Sequence, residues 1–118
     1  MVCQAVNTGR ARELTLELPE AVEKSHFGKA DFRVRNRIFM SLPENDRAVI
    51  KLDRDQQEMM TAAEPLVFKP VPGGWGQKGW TSIMLDACDE LTFRSAVRTS
   101  WRNVAPPALR KVFDASQF

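Results

Sequence analysis

The side chains that do acid–base, nucleophilic or metal chemistry near neutral pH are few in this sequence and badly spaced. His26 is the single histidine. It stands in His26-Phe27-Gly28 with no nucleophile near it in sequence, and reads as a structural group at a strand end rather than a general base. Cys88 lies among Asp86, Asp89 and Glu90, whose charges disfavour a thiolate; the helix start that follows favours one only weakly. The acids at Asp53/Asp55 and Asp86/Asp89/Glu90 fall where helices begin, so they read as caps that complement the helix dipole. Neither group has the alternating ligands and closing Glu of an EF-hand. No HxxH or CxxC spacing occurs. The expectation is a protein with no catalytic constellation, no metal and no cofactor, and hence not an enzyme.

Three other constellations can bind rather than react. The first is the loop over residues 70–80, which holds four of the six glycines together with Trp75, Lys78 and Trp80. It is no phosphate-cradling P-loop, because no Lys-Ser/Thr pair opens a helix after it and it runs from strand to strand. It reads either as a long hairpin loop whose tryptophans pack back on the domain, or as a mobile binding wing. In the second reading Lys69 and Lys78 are its bases and Trp75 its stacking surface. The second constellation is Arg33, Arg35 and Arg37 near a turn at Asn36, in a basic segment that begins at Lys29. These bases can contact phosphates or can simply solvate a sheet edge. The third is Arg94, Arg98 and Arg102, spaced by four on one helix, where late arginines also complement the dipole.

The elements that position these residues follow from periodicity. Asn7 or Thr8 can cap a helix to about Leu18, ended by Pro19. From residue 21 to 52 the period changes to two. Val22 to Ser25 reads as a short strand, Phe32 and Val34 alternate with arginines, and Ile38 and Met40 alternate with Arg37, Phe39 and Ser41. Val49 and Lys51 oppose Ile50 and Leu52. Arg35-Asn36-Arg37 is a tight hairpin turn and residues 43–46 a second one. Asp53 with Gln56 makes a capping box for a helix with Met59, Met60 and Ala63 on its apolar side. Strands over 66–71 and 80–85 flank the glycine loop. A helix to about Asn103 carries the seam Phe93, Val97, Trp101 and Val104. Pro106-Pro107 starts a last helix whose Leu109, Val112 and Phe113 can close over the core. Strands joined by short turns, with helices in separate groups, give an α+β fold: one two-layer domain over 1–118, an antiparallel sheet with helices on one face, in the order α-β(3-4)-α-β(2)-α-α.

At 118 residues the chain fits one domain, and 43% hydrophobic and 27% charged residues are ordinary for a globular protein. Its N-terminus has no basic–apolar leader and no apolar run approaches a membrane span, so a cytoplasmic protein without a membrane partner is expected. Two distant cysteines, Cys3 and Cys88, fit a reducing compartment. The net charge of +2 argues for no partner by itself. Its distribution is uneven: residues 29–37 hold four bases and one acid, and 94–113 five bases and no acid. Localised charge of this kind can steer a polyanion.

Together these segments resemble the YjbR/MmcQ family. The stretches that carry the likeness are His26-Phe27-Gly28, Phe32-Arg33-Val34-Arg35-Asn36-Arg37-Ile38-Phe39, Ile50-Lys51-Leu52-Asp53, Val67-Phe68, Trp75-Gly76-Gln77-Lys78-Gly79-Trp80-Thr81 and Trp101-Arg102-Asn103-Val104-Ala105-Pro106. Ala30 and Asn36 stand where relatives often show Pro and Gly. The resemblance implies a two-layer α+β domain and the family's usual description, a DNA-binding protein with a double-wing arrangement. On this chain the wings would map to the hairpins at 33–37 and 69–78. The expected nucleic-acid contacts are therefore Lys29, Arg33, Arg35, Arg37, Lys69, Trp75 and Lys78. The alternative is a protein-interaction or small-ligand module of chaperone-like fold, with Trp75, Trp80 and Phe39 lining a groove or a dimer face.

Overall fold

The computed structural model describes residues 5–26, 28–44 and 46–116. Cys3, Phe27 and Asn45 lie outside them. Asn7 opens helix α1 (Thr8–Leu16), its side chain accepting from the Arg10 amide at 2.8 Å. An antiparallel meander follows: β1 (Val22–His26), β2 (Lys29–Val34), β3 (Arg37–Glu44) and β4 (Arg47–Lys51). The expected capping box at Asp53 and Gln56 is present and starts α2 (Arg54–Ala63). Then come β5 (Phe68–Pro70), the single turn α3 (Gly74–Gln77), β6 (Trp80–Met84), α4 (Glu90–Val104) and α5 (Pro107–Ser116). The strands form one antiparallel sheet in the order β1-β2-β3-β4-β6-β5.

Strand register sorts the side chains into two faces. Phe32, Met40, Ile50 and Thr81 stand opposite one another across four strands and are buried. The alternate row runs Lys24, Asp31, Ser41, Val49, Ser82 and Lys69 on the other face. Helix α4 packs across β3 and β4 with Phe93, Val97 and Trp101 buried, as its seam predicts. Helix α1 packs on α4, and α5 adds Phe113, whose ring centroid is 5.0 Å from that of Trp101. Among the described residues, no long helix covers the second face of the sheet.

Three sequence expectations are corrected. Period two places Phe39 beside Ser41, yet Phe39 is fully buried next to Met40. The β2–β3 register steps from Phe32↔Met40 to Arg33↔Ile38, so Phe39 is an extra, bulged residue. The hydroxyl of Ser100 on α4 bridges the disruption, donating to the Phe39 carbonyl (2.5 Å) and accepting from the Lys51 amide (2.8 Å). On α2, Met59 is 65% exposed, and the fully buried side chain is Gln57. On α5, Val112 is 66% exposed, leaving closure to Phe113 and Leu109.

Candidate functional site

Antiparallel order brings the two expected wings to one end of the sheet. β2, β4 and β5 run in the same direction, so the β2–β3 turn and the β5–β6 loop both emerge where those strands finish. At the first, Arg35 and Asn36 have φ of 50° and 67°, the paired left-handed residues of a two-residue hairpin. Asn tolerates this geometry through its short polar side chain.

The β5–β6 connection is built differently from a free hairpin tip. Residues 74–77 coil into α3, and the chain on both sides is tied to the body. Buried Gln57 donates through its amide to the Gly76 carbonyl (3.0 Å), the Trp80 carbonyl (3.3 Å) and the Thr81 hydroxyl (3.1 Å). Lys51 Nζ donates to the Lys78 carbonyl at 2.5 Å, and the Leu52 amide to the Gly79 carbonyl at 3.0 Å. Gly79 combines φ of +101° with a backbone so close to Leu52 that any Cβ would overlap the Leu52 carbonyl oxygen. The loop is thus tied to the body of the domain on both sides of α3.

That loop holds Trp75 out. Trp75 is 63% exposed, its ring edge-to-face with half-buried Trp80 at a centroid separation of 6.2 Å. The ammonium groups of Lys78 and Lys51 lie over the rings of Trp75 (5.7 Å) and Trp80 (5.2 Å). The two tryptophans wall one end of a groove of about 490 Å³ on the sheet face that carries no long helix. Ile38, Val49, Val71 and Pro43 give it apolar sides; Asp31 and Ser41 lie among its polar groups; Lys29 and Arg47 line it as well.

The expected site residues divide accordingly. Lys29 and Trp75 line the groove, Lys69 shares the sheet row of Ser41 and Val49, and Lys78 covers Trp75. The side chains of Lys29, Arg37 and Lys69 make no hydrogen bond or ion pair with a described residue. Arg33 and Arg35 are engaged instead. Arg33 grips Asp31 through two bonds (2.9 and 3.3 Å), and Arg35 grips Glu20 likewise (2.6 and 3.0 Å). The hydrogen bond from Arg35 holds the Glu20 carboxyl below its ordinary range. Lys29 sits at the far end of β2 from Arg35, so the basic segment of the sequence does not act as one cluster. Of the aromatic residues assigned to a groove, Trp75 and Trp80 line it and Phe39 lies in the core.

Sequence reasoning missed Arg47, Lys51, Ser41 and Gln57. Arg47 donates to the Ser82 hydroxyl at 2.9 Å and pairs with Glu44 at 3.3 Å. Arg47 and Lys51 begin and end β4 on the side away from Ala48 and Ile50, with Val49 between them, and this alternation is the sequence signal that could have found them. The arginine stripe on α4 belongs to the fold: Arg94 pairs with Glu17 and Glu90, Arg102 with Asp114, and Arg98 lies over the Phe113 ring. Burial, then Asp89 and Glu64, push the Cys88 thiol up to about 12, the reverse of a nucleophile's need. His26 ends β1.

A search of curated protein sequences finds no match to this chain. Among solved structures, Deinococcus radiodurans protein DR2400, a DUF419-domain protein, is similar in fold. It shows a TM-score of 0.70 and 22% sequence identity, over 87% of this chain and 84% of that one. The YjbR family model matches residues 16–103, a span that runs from the end of α1 through β1–β6 to the last turn of α4 and so takes in both hairpins and the groove between them; the chain belongs to the YjbR family.

Proposed function

We propose that this protein is a non-enzymatic nucleic-acid-binding module that engages DNA with the helix-poor sheet face and the two hairpins at its end. One observation carries the reading: strand order gathers scattered bases onto that face. Lys24, Lys29, Lys51 and Lys69 share it, and the remaining charges on it, Arg33 with Asp31 and Arg47 with Glu44, are paired with one another. Contacts made by such a face are chiefly to phosphates, with weak sequence preference and steep salt dependence.

The test is titration of a labelled duplex at two salt concentrations with the wild type, Lys69→Glu and Lys78→Glu. Binding that weakens with salt and with both charge reversals is expected. No binding at low salt, or indifference to both reversals, sinks the proposal. A small-ligand reading is favoured by one feature, the apolar lining of the groove, and predicts thermal stabilisation by an uncharged aromatic compound without any DNA binding.

A further inference from the structure

Resting on the nucleic-acid reading above, we infer that the groove beside Trp75 takes an unpaired nucleobase, so that the preferred partner is a single strand rather than a duplex. Three observations converge. First, a groove of about 490 Å³ falls within the roughly 300–1,000 Å³ of pockets that hold small organic groups. A duplex cannot enter it, and it presents to such a face only phosphates and groove edges, since its base faces are covered by stacked neighbours.

Second, the groove ends on an aromatic surface that the fold goes to some length to fix. Trp75 keeps 63% of its surface exposed, although Trp80, Lys78 and the Gln57-anchored turn all hold the segment that carries it. An exposed ring on a support tied down by hydrogen bonds suits sequence-tolerant base stacking, because every base has a π-face.

Third, charge and polarity are arranged along the groove as a strand needs them. Lys29 and Arg47 line it towards one end of the sheet, and Lys51 and Lys78 stand over the tryptophans at the other. The distance along β4 from Arg47 to Lys51 is about 13 Å at ~3.3 Å per residue. Between these bases, the Ser41 hydroxyl makes no hydrogen bond with a described residue and is open to a base edge. Apolar walls, cations at both ends and a stacking ring together match a base with its flanking phosphates better than an apolar ligand without charge.

The experiment measures anisotropy of labelled oligo(dT), a labelled duplex of equal length, and thymidine monophosphate as competitor, against the wild type, Trp75→Ala, Trp75→Phe and Lys69→Glu. Oligo(dT) is expected to bind the wild type more tightly than the duplex. Trp75→Ala should weaken oligo(dT) by roughly tenfold or more and leave the duplex unaffected, with partial recovery in Trp75→Phe. Lys69→Glu should weaken both. If both DNAs bind and Trp75→Ala changes neither, or both alike, the base-binding groove is overturned while phosphate binding by this face stands. If neither DNA binds, both readings fall. If the mononucleotide competes as tightly as the oligomer, the groove is a small-molecule site and the single-strand inference is overturned.

Discussion

The side-chain amide of Gln57 on α2 donates to the backbone carbonyl of Gly76 across 3.0 Å, and through this bond a helix on the core side sets the position of the loop that carries Trp75. The same nitrogen reaches the Trp80 carbonyl and the Thr81 hydroxyl. Gln57→Leu keeps the volume and removes the donor. A loss of about 1–3 kcal/mol is expected, the usual cost of stranding buried partners. Urea denaturation measures it, and limited proteolysis should cut within residues 71–79 faster than in the wild type. An unchanged midpoint with unchanged cleavage would show that the loop is held by other means.

The glycines of that loop should differ sharply in tolerance. Gly79→Ala forces a Cβ into the Leu52 carbonyl at φ of +101°. A loss above about 2 kcal/mol is expected, since both strain and a clash must be relieved. Gly74 has an ordinary φ and no atom within 4 Å of an added Cβ. Gly74→Ala should be neutral or stabilising by up to about 1 kcal/mol. Thermal denaturation of the two variants side by side decides it; equal effects would contradict this geometry.

What could be read in the sequence is what depends on local period and capping. The capping box at Asp53, the α4 seam and the hairpin at Asn36 are all short-range, and all are found as expected. What could not be read depends on partners far along the chain. Phe39 is driven into the core by a bulge whose loose carbonyl is satisfied by Ser100, 61 residues away. Gln57 looks like any polar helix residue until the loop 19 residues on supplies its acceptor. The site fared likewise. Bases were visible as a run along 29–37, but only sheet register reveals that Lys29 and Lys69 share a face, and only tertiary structure reveals that Arg35 is held by Glu20.

Cys88 gives a pH dependence with a definite sign. Its thiol is raised to about 12 in the folded protein, while an unfolded thiol titrates near 8.5. Between these values the unfolded state releases a proton that the folded state keeps, so stability falls as pH rises, by at most about 1.4 kcal/mol per unit. The sequence has no tyrosine, so the window from pH 8.5 to 9.5, just above the unfolded thiol's value, is the informative one. Chemical denaturation across it should show a decline in the wild type that is shallower in Cys88→Ala. Parallel slopes would mean that the thiol ionises freely in the folded state.

Glu20 sets how much charge the β2–β3 hairpin can offer. Its carboxylate takes both bonds from the Arg35 guanidinium, whose own pKa that contact raises. On the nucleic-acid reading, a phosphate arriving at this turn would compete with a carboxylate already in place, and Arg35 is expected to contribute little in the wild type. Glu20→Gln keeps the size and the backbone position, where φ is 57°, and removes the competitor. Binding to duplex at low salt should tighten, and the slope of log K against log salt should steepen by about one unit, the release of roughly one more counterion. The double variant Glu20→Gln, Arg35→Gln should return the slope to its wild-type value. A slope unmoved by Glu20→Gln would place this hairpin outside the interface and confine binding to the groove and the Lys78 loop.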